Sequence, residues 1–464
     1  MSWADTARQN RVAWEQGIIG KGEAILLDRY PIPRLCAKGL MTTVNSLGIS
    51  NLSLLDIMEP VRPNVWIGYI APSGTGVKTP PLVRIRSLVR NYCRGLLAPP
   101  KFTPEGFTEW VIGAEGKLAS DSKTVVRKPV PPHPHCIIIR DEGSRLLGES
   151  KWSPHLATMK EYLSELWDGY IEGYYTRKCQ YEGEVEDFVS LALFSSPYFY
   201  ELLDENFFAQ GTGNRILWNV ENKRKPERLN KDEFFFSLGS KDTDWNDFEQ
   251  EILSSLKNLE KIGDVGGLDD PAKTLWVDFQ KDCMDKSYAE PSRSAFASYI
   301  VKQPLNALKL AMNYAASVNS VDVNNILWIL EEDMQRAIED TRVYIENWKQ
   351  VLKEWNDWSY KIEGKKQQKH LSEKKYELTK FLRFAIAQPE KLVCSEEISA
   401  ELDCPDKTTI NDILHLGVSK DWLEIYSKYP DSSKLTAEQI KRFERGNIVP
   451  TIYKVTEQGE KECQ

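Results

Sequence analysis

The sequence predicts an α/β fold containing a parallel sheet, followed by a small C-terminal unit of helices and strands. Three observations predict it. Short apolar runs recur at Trp66–Ile70, at Cys136–Ile139, within 188–196 and after Arg215, with helical patterns between them. Strands buried on both faces of a parallel sheet read as runs of this kind. The first run enters a glycine-rich turn, "APSGTGVKTPPL" (71–82), that opens a helix. The last ninety or so residues read as three helices and two strands around a charged hairpin, the outline of a winged helix.

The bulk composition sets limits. The chain has 464 residues, a length that suggests two to four domains. Hydrophobic residues make up 41% and charged residues 28%, the balance of an ordinary globular protein. No apolar run approaches the roughly 18 residues of a membrane helix. The polar, acid-bearing start "MSWADTARQNRVAWEQG" reads as neither a secretory signal nor a transit peptide. The 8 cysteines are scattered without a C-x-x-C pair, which points to a reducing, cytoplasmic setting and no zinc ribbon. "HPHC" (133–136) runs directly into a strand and reads as its entry rather than as a metal site. The net charge of −8 excludes a protein that merely coats nucleic acid. Any DNA contact must come from local basic patches.

Taken in order, residues 1–60 form an N-terminal helical region broken at "RYPIPRL". The core spans 61–290. Its first strand and glycine turn lead into a helix with Leu82, Ile85, Leu88 and Val89 on one face, and Pro80-Pro81 stand at its start, where missing N–H groups are tolerated. Thr103 is an N-cap followed by Pro104 and Glu105, so a helix begins there. Residues 115–134 are polar and proline-rich, a loop or hairpin. The second strand ends in Asp141-Glu142. An amphipathic helix over 159–178 runs into a basic turn; the third strand ends in Ser195-Ser196; Arg215 sits in a glycine turn before the fourth. Residues 222–290 are charged helices and loops. Long helices over 291–360 form a helical lid, 361–375 is a basic linker or exposed helix start, and 376–464 is the winged-helix unit. The aromatics of "WKQVLKEWNDWSY" recur at helical spacing and read as a packing seam.

Without Val77, the glycine turn reads A-P-S-G-T-G-K-T, a phosphate-binding loop with Ala at the first glycine. The inserted Val77 shifts Lys78 by one step. Either Gly76 absorbs it as a bulge, or the site binds nucleotide poorly. An apolar strand ending in adjacent acids suits a Walker B pair, one acid for Mg²⁺ and one for the attacking water. Loop, acidic strand, polar-ended strand and arginine turn follow one another in the order of a P-loop ATPase core.

"APSGTGVKTPPL", "FTPEGFTEWV", "IIIRDEGSRLL", "LALFSSP" and "FFAQGTGNRILWNVE" resemble the ATPase module of mobile-element replication proteins. These are primase-associated, helicase-like ATPases of plasmids and viruses, similar to minichromosome maintenance helicases of the AAA+ class. "YIVKQPLNALKLAMNYAAS" resembles the lid helix of those helicases. The likeness covers roughly 60–320. The large oligonucleotide-binding domain of the helicases has no counterpart in the first sixty residues. The resemblance implies ATP and Mg²⁺ as cofactors. Ser73, Gly74, Thr75, Gly76 and Val77 would line the phosphates, Lys78 would reach the β- and γ-phosphates, and Thr79 with Asp141 would hold Mg²⁺. Glu142 would polarise water. Ser195 or Ser196 would be the sensor, where Asn is usual. Arg215 would be an arginine finger acting on a neighbouring subunit. Lys302 stands where a second sensor, usually Arg, is expected.

DNA contacts follow from the same likeness. Hairpins pointing into a ring channel would carry Lys117, Lys123, Arg127 and Lys128, and Arg177 with Lys178. The winged helix would add Lys407 and Arg442. The expectation is an ATP-driven hexameric ring that unwinds or translocates on single-stranded or forked DNA to replicate a mobile element, with a primase or initiator as a possible partner and no membrane contact. The rivals are an ATP-switched initiator or loader, and a nucleotide-independent DNA-binding protein with a degenerate loop.

Overall fold

The computed structural model describes residues 3–463 except 55–59, 73–77, 114–116, 119–124, 128–129, 134, 148–153, 171–173, 176–179, 182–187, 204–206, 209–210, 222–241, 264, 292–293, 395–396, 398–413, 415–417, 419, 428–433 and 444–450. The chain divides into two compact units, Met1–Trp358 and Ser359–Gln464. The first is a mixed α/β unit; the second is a small α+β unit.

The first unit begins with α1 (Trp3–Asn10), α2 (Ile18–Arg29) and α3 (Arg34–Gly48), then the short strand β1 (Ser53–Leu54). The break at "RYPIPRL" falls between α2 and α3, where Pro33 supplies an extended residue before the new helix. Helix α3 lies against the central sheet. Its Gly39 is required there, since a Cβ would meet Ile67 at 2.8 Å. Ser46 shares a 2.7 Å hydrogen bond with Ser190 in the sheet.

The central sheet contains β2 (Trp66–Ile70), β5 (Cys136–Asp141), β8 (Val189–Ser195) and β9 (Ile216–Val220). The hairpin β3 (Lys117–Leu118) and β4 (Val125–Arg127) precedes β5, and the pair β6 (Tyr174–Tyr175) and β7 (Gln180–Tyr181) precedes β8. Spatial order is β5-β8-β2-β9, every neighbouring pair parallel. All four expected strands are present, and every residue of β2 and β8 is buried. Each large apolar side chain so covered contributes about 1.5–3 kcal/mol. The strand that follows the acidic pair in sequence, β8, is inserted between it and the loop strand.

Between the strands lie α4 (Thr79–Tyr92), α5 (Pro104–Ile112), α6 (Ser144–Leu147), α7 (Pro154–Asp168) and α8 (Phe199–Leu202). Thr103 caps α5 as expected, its side chain accepting from the Gly106 amide. Helix α7 stops ten residues short of the expected 178. Gly169 adopts φ 104°, a left-handed turn that favours glycine and ends the helix.

Beyond the sheet come α9 (Asp242–Leu259), β10 (Val265–Leu268), α10 (Asp270–Tyr288), α11 (Ala295–Ile300), α12 (Gln303–Ser317), β11 (Trp328–Ile329) and α13 (Glu331–Ala387). Strands β1, β10 and β11 form a second, three-stranded parallel sheet that the sequence reading did not foresee. The expected run of long helices over 291–360 is interrupted, and its last helix starts at Glu331. Asn319 and Asn325 take left-handed φ, and Asp322 accepts from the Asn324 and Ile326 amides, which holds a turn instead. The N-terminal helices are bonded to this part: Arg11 grips Asp333 with two contacts at 2.5 and 2.9 Å, and Lys38 reaches Asp340 at 2.7 Å. The aromatic seam packs as expected. Trp348 stacks on Tyr299 at 4.6 Å, and Trp355 meets Phe208 at 4.5 Å.

In the second unit, the expected pair of strands is found as β13 (Leu423–Ser427) and β14 (Ile452–Val455), antiparallel. A third strand, β12 (Leu392–Cys394), joins the other side of β14 and was not foreseen, because "LVC" is too short to show a period. Helices α14 (Ala437–Phe443) and α15 (Glu457–Cys463) flank β14 in sequence. The range 361–375 lies inside α13, whose bounds run to Ala387.

Candidate active site

Parallel strands put their carboxyl ends on one edge of the sheet, where open α/β sheets bind ligands. Register places Ile70 beside Ser195, and Asp141 beside Phe194. Ala71, Asp141, Glu142, Ser195 and Lys78 therefore gather at this edge. Ser73, Gly74, Thr75, Gly76 and Val77 lie outside the described residues.

Lys78 precedes α4 and is 8% exposed. Its Nζ donates to the Ala71 carbonyl at 3.1 Å. Burial pushes its ammonium below the ordinary value, while the nearby Glu142 and Asp141 carboxylates pull it back. Thr79 opens α4 and its hydroxyl donates to the Asp141 carboxylate. Pro80 and Pro81 follow in the first turn, as expected. They carry no N–H, so the described donors at this helix start are the Lys78 and Thr79 amides and the Lys78 ammonium.

Glu142 takes φ 86°, a left-handed value in a residue with a side chain. Such a conformation costs on the order of 1–2 kcal/mol. Two hydrogen bonds pin it: the Glu142 and Gly143 amides both donate to Phe194 O at 2.8 Å. Strain held in this way is a mark of functional turns. Ser195 is 3% exposed and its hydroxyl has no hydrogen-bond partner among the described residues. It ends the strand that lies between the loop strand and the acidic strand. Ser196 is half-buried and lies past the strand end. Of the two serines, Ser195 has the unused donor. Glu221, not foreseen, closes the far side of the edge by accepting from Tyr69 Oη at 2.7 Å. Its signal was the same as for Asp141, an acid at the end of an apolar strand.

Arg215 and Lys302 lie at the opposite edge. Arg215 precedes β9, whose Ile216 pairs with Trp66 at the amino end of β2. The five residues of β2 separate the edges by roughly 16 Å. Arg215 pairs with Asp168 at 2.6 Å, donates to Gly211 O at 3.1 Å, and lies 5.2 Å from the Trp167 ring centre. Lys302 lies over the same ring at 5.9 Å and Lys309 at 4.0 Å. Lys309, which sequence reasoning missed, is buried on α12 and donates to Asn64 Oδ1 and Trp167 O at 2.6 and 2.8 Å. Burial pushes its ammonium well below the usual lysine range, with Asp168 opposing. A lysine inside the apolar run "NALKLAMNYAA" was the available signal.

The expected DNA contacts are only partly described. Lys117 and Arg127 are backbone partners across the β3–β4 hairpin. Lys123, Lys128, Arg177, Lys178 and Lys407 lie outside the described residues. Arg442 is turned inward: its guanidinium donates to Glu397 at 3.2 Å and to the Leu392 carbonyl at 3.2 Å, which accounts for it as a structural tie within the second unit.

No protein-family model matches the chain, and a search of curated proteins found no match. Among the described residues no helix is long and apolar enough to cross a membrane.

Proposed function

We propose that the chain is an ATP-driven, ring-forming DNA helicase or translocase that serves replication of a mobile genetic element. In this reading the first unit is an AAA+-type P-loop ATPase core with a helical lid, and the second is a winged-helix domain. One observation carries the ATPase part. Lys78, the Thr79–Asp141 pair, the strained Glu142 and the unpartnered Ser195 hydroxyl share the carboxyl edge of the sheet. The DNA and mobile-element parts rest on the motif resemblance.

Each residue has a task that its chemistry suits. The Lys78 ammonium, buried and holding only one carbonyl, would meet the β- and γ-phosphates. The Thr79 hydroxyl and Asp141 carboxylate are hard oxygen donors held together, which fits Mg²⁺ with its other positions left to water and phosphate. Mg²⁺ would supply neutralisation of charge building on the transferred phosphoryl group. The Glu142 carboxylate would accept hydrogen bonding from the attacking water and take its proton. The Ser195 hydroxyl would donate to that water or to a γ-phosphate oxygen. Arg215 and Lys302 are too far from Lys78 to serve the same nucleotide. In a ring they would act on the neighbouring subunit's nucleotide, as a finger does.

The test is steady-state ATP hydrolysis with and without single-stranded and forked DNA, wild type beside Lys78→Ala. Hydrolysis that rises with DNA and disappears in the variant is expected. No hydrolysis by the wild type under any condition would make Val77 the sign of a degenerate loop and leave a DNA-binding protein.

A further inference from the structure

A second charged feature borders the acid pair Asp141 and Glu142. A cleft of about 1000 Å³ is walled by Arg86 and Arg90 of α4, Arg94 and Lys101 after it, and Arg140 of β5, with Asp141 and Glu142 also in its wall. Among the described residues no salt bridge neutralises any of these five cations. Arg86 and Arg140 spend hydrogen bonds only on carbonyls, at Ile139 O (3.1 Å) and Pro99 O (2.8 Å). Burial, and after it the neighbouring Arg86, push the Arg140 guanidinium down to about 10. Arg140 is held in place by the Phe102 ring, 4.8 Å away, which itself stacks on Phe107 at 4.6 Å. A folded protein bears the cost of gathering such charges where an anion offsets it.

Arg86 and Arg90 sit one turn apart on α4, about 6 Å along the helix, and Arg94 follows the helix end in the short 3-10 turn Arg94–Leu96. This is a row of charges rather than a single-anion pocket, and it suits a polyanion with regularly spaced phosphates. A volume of about 1000 Å³ has room for a few nucleotides of one strand. We infer that this cleft binds the phosphodiester backbone of single-stranded nucleic acid, independently of base sequence. The inference rests on the proposed function for its DNA but not for its ATP. It adds a contact surface on the sheet-facing helix to the hairpins expected from the sequence. A strand seated here ends next to Glu142, so its arrival is felt at the acid pair.

The experiment measures anisotropy of a fluorescent oligo-dT across a salt series, using the full chain. Arg90 and Arg94 are exposed and outside the core, so R90A/R94A should keep the wild-type melting temperature. The double variant is expected to bind at least about tenfold more weakly, and the log–log salt slope should fall by about 1.4, for two lost phosphate contacts. R90K/R94K should keep affinity within about threefold. Wild-type binding with an unchanged R90A/R94A affinity and slope overturns the cleft and leaves DNA binding elsewhere intact. A wild type that binds no oligo-dT overturns it as well. If the wild type never hydrolyses ATP yet the double variant loses oligo-dT, the cleft stands and the ATPase falls. Displacement of oligo-dT by polyglutamate of equal charge as readily as by unlabelled oligo-dT would assign the cleft to an acidic peptide and overturn the nucleic-acid occupant.

Discussion

The two edges of the central sheet differ in how their charges are settled. At the carboxyl edge, Lys78 is nearly buried and holds one carbonyl with the Glu142 and Asp141 carboxylates nearby, while Glu142 is strained and the Ser195 hydroxyl has no partner among the described residues. At the amino edge, Arg215, Lys302 and Lys309 surround Trp167, and Asp168 answers Arg215 directly. The first edge, with a buried lysine, a strained acid and an unused hydroxyl beside Asp141, reads as a place for a ligand. The second is pre-paired within the chain. In the proposed ring, a finger drawn from it would have to exchange Asp168 for a neighbour's phosphate, so its action would depend on assembly.

The largest expected effect breaks the amino edge. Arg215→Ala should lower ATP hydrolysis by about 10³–10⁵, and Arg215→Lys by less. Mixing Arg215→Ala with Lys78→Ala subunits should restore a little activity at mixed interfaces, measured as turnover against mixing ratio. Loss without rescue at any ratio would place the role of Arg215 within its own subunit's fold. At the carboxyl edge, Glu142→Gln should cost about 10²–10⁴ in turnover while ATP still binds, read by nucleotide fluorescence. Normal hydrolysis by that variant would remove Glu142 from the chemistry.

The smallest effect concerns acid stability at the amino edge. His135 enters β5 against Phe188, and burial with nearby Arg62 pushes its imidazole down to about 4. The unfolded chain takes up this proton near 6.5, so the fold loses stability as pH falls from about 6.5 to 4 and is unaffected above it. His135→Asn, which tolerates the left-handed φ of 59°, should flatten that decline in urea midpoint. A wild-type decline matched by the variant would assign the pH dependence to other groups.

Much of the carboxyl edge was legible. The runs at Trp66–Ile70 and Cys136–Ile139 are apolar because both sheet faces are covered, and their polar ends mark where the cover stops. Thr103 and Pro104 announced their helix by capping chemistry. The end of α7 was not legible, because whether Gly169 breaks or continues a helix depends on the φ its surroundings allow. The choice between Ser195 and Ser196 depends on register, and the arginine row depends on α4 lying beside β5.

The sequence by itself determined the local events: which segments are strands, where helices start, and which acids end which strands. These follow from side-chain periodicity and backbone chemistry within a few residues. The tertiary structure alone decided the strand order β5-β8-β2-β9, the distribution of Lys78 and Arg215 to opposite edges, and the meeting of Arg86 with Arg140. Those depend on parallel pairing between segments far apart in the chain, whose register and crossover no local pattern encodes.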